Sequence, residues 1–402
     1  MSPRYRAFPC RLLLAALLGL LAPVAAALPP ANRPQDPQQV LAAATPPTAH
    51  ALRELRAHRA ALLASPGRLD LALRFADAAI ALGHREQQPR YFGQAEAALA
   101  PWWAHASIEP AARLRRAEIR QWQHQFALAR QDLDVLVGLG SAEREPALLM
   151  RAALAMVRGD PAAAAADCRA LFARDALLRA TACLATANGL RGQAQRSLAT
   201  LEAVLAPGAA ADLSTRRWAA TSAAELAWRL GDRPRADAHY RAALALMREA
   251  DTVDAYLLAS YADFLLDQQR VAEAAALLAG HERSDPLLLR LALASEPVRR
   301  KQLASELDAR FAEVRARGES PHAREYAWYL LDLRDDPEAA LQQAQLNWAT
   351  QREPLDARLL LRAAQAASQP YAAQVVLDWL QATGLEDRRL ATLVAALRRP
   401  VP

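Results

Sequence analysis

The sequence predicts an all-α protein, and three observations support this class. Ala and Leu dominate the hydrophobic 53% of the 402 residues, while there are only 14 Gly and 6% aromatic residues. Ala and Leu are strong helix formers, and no stretch shows the two-residue alternation of β-branched and aromatic residues that is typical of strands. A unit of two helical stretches around a sharp break also recurs along the chain, which favours one long solenoid over several ordinary domains.

The N-terminus has the three parts of a secretory signal peptide. Three arginines precede an apolar run at Leu12–Leu21, and three consecutive alanines end at Ala27. The apolar run is too short for a membrane anchor, which needs about 20 residues. Cys10 precedes the run, so it does not fit the acylated cysteine of a lipoprotein. We therefore predict a signal peptide over 1–27, cleavage near Ala27, and a periplasmic or secreted chain without an integral membrane segment.

A Pro-rich, flexible leader is predicted over residues 28–48, because this segment holds too few large apolar side chains to bury a core. The formal net charge of +6 falls to about +3 without the arginines of the signal peptide. Lys301 is the only lysine, which is typical of an arginine-rich bacterial protein. The remaining charges are mixed, as on solvated helix faces, and form no basic block for nucleic acid.

The clearest repeat unit is Trp218–Met247, with its break at Leu230–Pro234. Similar breaks recur at Gly159, Gly192, Gly231, Gln269 and Arg334. Their spacings are 33, 39, 38 and 65 residues, and the last contains another break at Glu296 and Pro297. Weaker breaks near Pro89, Gln125 and Pro370 extend the repeat in both directions.

This unit resembles the tetratricopeptide repeat (TPR), a helix–turn–helix of about 34 residues. The matching positions are Ala224, Gly231, Ala236 and Tyr240. The small first-helix residue recurs in all five units, as Ala152, Ala185, Ala224, Ala262 and Ala327. The chain departs from the family in lacking its first-helix Tyr and most turn glycines, so a HEAT-like or generic α-solenoid stays the alternative. The resemblance implies a right-handed α-α superhelix over 49–402, closed by a C-terminal capping helix from Glu386.

No catalytic or metal-binding motif emerges from the sequence. The eight histidines form no H-E-x-x-H pattern, and no nucleophile elbow or phosphate-binding glycine loop is present. Acid pairs such as Asp335–Asp336 and Glu386–Asp387 lie at breaks, where carboxylates cap helix N-termini. We therefore predict a protein that is not an enzyme and has no cofactor or metal.

Two cysteines remain after export, Cys168 and Cys183. They lie on neighbouring helices, seven to eight residues on either side of the expected turn near Arg174–Ala176. Antiparallel helices would place them at similar height, so an oxidising compartment favours a disulfide. The alternative is that both are small buried hydrophobic side chains.

The TPR resemblance implies that first helices line a concave groove. The groove residues expected from it are Trp218, Glu225, Trp228, Arg229, Tyr256, Asp263, Arg324 and Trp328, with Arg115 and Trp122 comparable upstream. Aromatic residues and arginine are enriched at binding hot spots. The alternative is that the large aromatic residues only pack between helices.

These observations favour a non-catalytic periplasmic scaffold or adaptor that holds a protein or peptide partner in the groove. A glycan- or peptidoglycan-binding envelope protein is the second hypothesis, in which aromatic side chains stack on sugars. A hydrolase with a site built from acids of several helices is the third. We predict no nucleic-acid partner.

Overall fold

The computed structural model describes residues 49–397, apart from 106, 173–175, 206–210, 317 and 319–321. Twenty α-helices and no β-strand lie within these residues. The predicted signal peptide and leader lie outside the described residues. No described helix is both long enough and apolar enough to cross a membrane.

The helices follow one another with short connections. They are α1 (Ala49–Ala64), α2 (Leu69–Glu86), α3 (Pro89–Trp103), α4 (Pro110–Trp122), α5 (Phe126–Leu139), α6 (Arg144–Val157), α7 (Pro161–Arg169), α8 (Leu177–Gly189), α9 (Ala194–Val204), α10 (Leu213–Leu230), α11 (Arg233–Glu249), α12 (Ala255–Asp267), α13 (Val271–Leu278), α14 (Asp285–Leu293), α15 (Pro297–Ala316), α16 (Ala323–Leu333), α17 (Pro337–Thr350), α18 (Pro354–Ala366), α19 (Gln374–Thr383) and α20 (Arg388–Leu397), with a 3₁₀ helix at Pro370–Ala373 before α19.

Two kinds of helix contact make this an all-α solenoid of antiparallel pairs, which confirms the predicted class. Most consecutive helices pack against each other. In addition, each even-numbered helix from α2 to α16 contacts the next even-numbered helix. The even-numbered helices correspond to the first helices of the repeat. In a curved stack, helices that approach their equivalents in the next unit lie on the concave side. We therefore call the even-numbered helices from α2 to α18 the inner row.

Acidic residues at the breaks begin many of these helices. The carboxylates of Asp160, Asp212, Asp232, Asp254 and Asp336 each accept a hydrogen bond from the backbone N–H three residues later. Proline follows Asp160 and Asp336 at the first helical position, where no N–H is required. Asp387 accepts a hydrogen bond from the N–H of Arg389, which explains why the capping helix begins at Arg388 rather than Glu386.

Eight of the nine inner helices are followed by a turn with a left-handed residue, and among the described turns the one after α14 is the exception. The φ of the left-handed residue lies between 52° and 81° at Gln87, His124, Gly159, Gly192, Gly231, Gln269, Asp335 and Ser368. The predicted breaks at Gly159, Gly192, Gly231 and Gln269 coincide with this residue, and the fifth is one residue later than Arg334. A residue in this conformation ends a helix and reverses the chain.

Small side chains hold the inner and outer helices together. The five repeat alanines are all buried, with Ala152, Ala224, Ala262 and Ala327 fully so and Ala185 at 4% exposure. Ala236 and Tyr240, the other positions of the resemblance, are also fully buried. Any larger side chain at these alanines would push the crossing helices apart.

Many charges pair with charges of the neighbouring repeat while they stay partly exposed to water. Arg179 on α8 reaches Glu145 on α6, and Arg217 on α10 reaches Asp254 before α12. The same pattern recurs 32 to 38 residues apart in the pairs Asp77–Arg115, Glu202–Arg235, Asp237–Arg270 and Arg324–Asp356.

Residues separated by about half the length of the chain also contact each other. Helix α2 contacts α12, and the Gln88 side chain donates a hydrogen bond to the carbonyl of Arg283, 195 residues later. The N–H of Arg352 donates to the carbonyl of Val157 at 2.7 Å. The N–H of Ala194 donates to Glu386 at 3.2 Å, across 192 residues. Residues near the C-terminus therefore lie against the turns of α6 and α8.

Candidate functional site

The structure places all eight predicted groove residues on the inner row, but it does not leave all of them free. Trp228, Arg229, Asp263 and Trp328 are buried, with 5 to 9% exposure. Trp218, Glu225 and Arg324 are half-buried. Only Tyr256, at 61% exposure, presents most of its side chain to solvent.

The capping helix α20 covers Trp228. The Arg389 guanidinium lies 3.8 Å from the centre of the indole ring, a cation–π contact. The indole N–H donates to Asp267 at 3.2 Å. Trp228 therefore anchors α20 and α12, and its expected role as free groove surface is wrong.

Asp263 and Trp328 are likewise part of an internal ion-pair network. Arg290 binds both carboxylate oxygens of Asp263, at 2.7 and 2.8 Å. The same guanidinium lies 4.8 Å from the Trp328 ring, whose N–H donates to Asp332 at 2.6 Å. These two residues link α12, α14 and α16. Because their side chains are bound to neighbouring inner helices, they too are not available to a partner.

A cavity of about 320 Å³ lies next to this network, between α12, α14, α16 and α18. Arg358 on α18 pairs with Asp267 at 2.5 Å, and Arg362 pairs with Asp332 at 2.6 Å. Since these acids and arginines neutralise each other, the cavity offers no single unpaired charge to a ligand.

Of the predicted residues that remain accessible, Glu225, Tyr256 and Arg324 lie near Glu353, which pairs with Arg324 and acts on both Glu225 and Tyr256. The Tyr256 hydroxyl donates to Glu225 at 2.8 Å, and the Ser260 hydroxyl donates to the same carboxylate at 2.8 Å. Arg324 pairs with Glu353 and also with Asp356, at 2.5 Å. We call Glu225, Tyr256, Arg324 and Glu353 the inner chamber.

The charges and hydroxyl groups of the inner chamber influence one another's pKa values. Burial raises the pKa of Glu225, the hydrogen bonds from Tyr256 and Ser260 oppose this, and the charge of Glu353 adds to it. The pKa of Tyr256 is raised well above its ordinary value by desolvation first, and then by Glu225 and Glu353. Tyr256 itself keeps 61% of its surface exposed.

Sequence reasoning missed the contacts made by Glu353, just before α18, and by Arg389 on α20. Glu353 has a local signal, because Glu353 and Asp356 form a reciprocal capping box around Pro354. Arg389 has none, since its contact with Trp228 joins residues 161 positions apart.

Cys168 and Cys183 lie where neighbouring helices meet. Cys168 on α7 and Cys183 on α8 have Cα atoms 5.4 Å apart, and the structure joins their sulfur atoms in a disulfide. Among the described residues, no group of three or more His, Cys, Asp or Glu side chains is arranged to hold a metal ion.

The crystal structure of the P58(IPK) TPR domain is similar to this chain, with 15% identity over 80% of this chain and 94% of that one, and a TM-score of 0.20. At this TM-score the similarity carries no argument, and the fold rests on the helix contacts above. No protein-family model matches the chain. No curated protein matches it either.

Proposed function

We propose that this chain is a non-catalytic, exported scaffold that holds a protein or peptide segment in its inner chamber. The observation that carries the proposal is Tyr256, which is 61% exposed on the inner row and fixed by Glu225. A large aromatic side chain with a fixed hydroxyl loses little entropy when a partner packs on it. The neighbouring pair Arg324–Glu353 offers hydrogen bonds to the backbone of such a segment.

Export to the periplasm is part of the proposal. Residues 1–27 have the composition of a signal peptide, and the Cys168–Cys183 disulfide fits an oxidising compartment. Fractionation of cells expressing the full chain, followed by mass measurement of the mature N-terminus, tests it. Cleavage near Ala27 is the expected result, and an uncleaved chain in the cytoplasm would contradict export.

Site-specific photocrosslinking in cells tests the binding role. A benzophenone amino acid in place of Tyr256 should give a discrete crosslinked product with a protein partner. Tyr371 provides the matched control, because it is a tyrosine with 92% exposure on the 3₁₀ helix and not part of the inner chamber. The variant Tyr256→Ala should then weaken capture of the identified partner, while Tyr371→Ala leaves it unchanged. No product from position 256, or the same products from both positions, would contradict the proposal.

One observation also favours the glycan-binding alternative. An exposed Tyr256 beside the carboxylate of Glu225 is an arrangement on which a sugar ring can stack and donate hydrogen bonds. Co-sedimentation with purified peptidoglycan separates the two functions. Binding that depends on Tyr256, without a protein crosslink, would replace the scaffold proposal with this one.

A further inference from the structure

A second cavity, of about 520 Å³, lies between the C-terminal end of α10 and helices α19 and α20. Its walls are mainly aliphatic, with Leu230 from α10, Leu380 from α19, Leu385 from the connection, and Leu390 and Val394 from α20. We call this space, together with Arg229 at its wall, the cap cavity. Its volume falls within the range of about 300–1,000 Å³ that is common for small-molecule sites.

Arg229 is the unusual member of this wall. It is only 5% exposed, yet in the described part of the chain it has no ion pair or hydrogen bond. Its Nε is buried without an acceptor. Desolvation lowers the pKa of this guanidinium, although Glu225 and Asp387 oppose the effect at longer range. Burying a cation without a partner costs free energy of folding. An arginine in this state therefore indicates that an anion binds to it or that the residue has a function.

The acidic residues at the cavity do not supply that anion. Asp387 is held by Arg389 through both of its oxygens and by the backbone N–H of the first turn of α20. Glu386 accepts a hydrogen bond from the N–H of Ala194. Arg388, which is exposed at the cavity and lies over Gly231, adds a second positive charge. The cap cavity therefore combines aliphatic walls with a buried guanidinium that pairs with neither of the two acids.

We propose that the cap cavity binds an organic carboxylate that carries an aliphatic group. The guanidinium of Arg229 binds the carboxylate through charge-assisted hydrogen bonds, and the leucine side chains bury the aliphatic part. Two sources share this chemistry, a free fatty acid and the C-terminus of a peptide that ends in aliphatic residues. The inference goes beyond the proposed scaffold and does not depend on it, because the ligand is in contact with α19 and α20 rather than with Tyr256.

Calorimetry with the purified mature chain tests the proposal with three probes. Decanoate has both parts of the ligand, decanol lacks the carboxylate, and acetate lacks the chain. Decanoate should bind saturably, and the other two about 10- to 100-fold more weakly. Arg229→Gln should weaken decanoate binding by a similar factor, while Arg59→Gln, at an exposed arginine on α1, should have no effect. Equal binding by Arg229→Gln and the unaltered chain, or no saturable decanoate binding, would overturn the proposal.

A second variant keeps the test independent of the stability of Arg229→Gln. Ala391 is exposed and lines the cavity, so Ala391→Trp should block decanoate without touching Arg229 or the core. Helix content by circular dichroism should be unchanged in both variants. A peptide ending in Leu-Val with a free carboxylate, compared with its amide, distinguishes the sources. Competition with decanoate by the free acid alone assigns a peptide C-terminus, and decanoate binding without competition assigns a fatty acid.

Discussion

Gly192→Ala should destabilise this protein through a contact made 192 residues further along the chain. Gly192 has φ +68°, a conformation that costs alanine about 1–2 kcal/mol. A Cβ added there would also lie 2.8 Å from the carbonyl oxygen of Gly384. Because that oxygen belongs to the backbone, no side-chain rotation relieves the clash, and overpacking of this kind costs about 1–3 kcal/mol further. The free energy of unfolding, measured by urea titration with circular dichroism, should fall by both amounts.

Gly140→Ala is the matched control. Gly140 has φ +67°, but no atom lies within 4 Å of an added Cβ. The two variants therefore share the backbone cost, and only Gly192→Ala carries the clash with the segment before α20. Equal losses of stability in the two variants would refute the conclusion that the C-terminal segment packs against the turn after α8.

Three further predictions concern charges and the disulfide. Asp263→Ala should cost about 3–5 kcal/mol in urea unfolding because Arg290 stays buried without its partner, and Asp263→Leu combined with Arg290→Met should cost much less. The surrounding protein and nearby positive charges lower the pKa of His124 to about 4, so its NMR titration should be centred there. The unfolded chain then takes up this proton first, and stability should fall as the pH drops from about 6.5 toward 4. A midpoint near 6.5 would contradict the packing of His124 against His322, whose ring centres lie 5.4 Å apart. Replacing Cys168 and Cys183 by Ala should cost about 3 kcal/mol, and two free thiols by mass spectrometry in periplasmic protein would contradict the bridge.

The all-α class and the positions of the turns follow from the sequence because they depend on local chemistry. Asp160 and Asp336 begin helices just before a proline, and the same residue pairs mark the breaks in the sequence. The burial of Ala224 and Ala262 follows from their seven-residue distance to the turn, which is a property of the helix period. These features depend only on residues that are close together in the sequence.

The candidate site was predictable only in part, because residues far away in the sequence pack around it. The sequence predicts Trp228 on α10 as groove surface, whereas the structure buries it. Whether that surface is open depends on α20, which brings Arg389 onto the ring from 161 residues away. Tyr256 occupies the equivalent position on α12 to that of Trp218 on α10, but only the structure shows that it remains exposed and bonded to Glu225.

The turn glycines show why the chain departs from a regular repeat. Five of the eight left-handed turns of the inner row carry Gln, His, Asp or Ser, so a positive φ alone does not require glycine here. The other three are Gly159, Gly192 and Gly231. At each of them an added Cβ would come within 2.7 to 2.9 Å of Arg352, Gly384 or Arg388. Glycine is therefore present at the turns against which residues 350–390 pack most closely. At the other turns, a residue with a side chain costs only about 1–2 kcal/mol of backbone strain, which other contacts offset. The uneven match to the tetratricopeptide pattern thus has a physical cause, which is the packing of residues 350–390 against the turns of α6, α8 and α10.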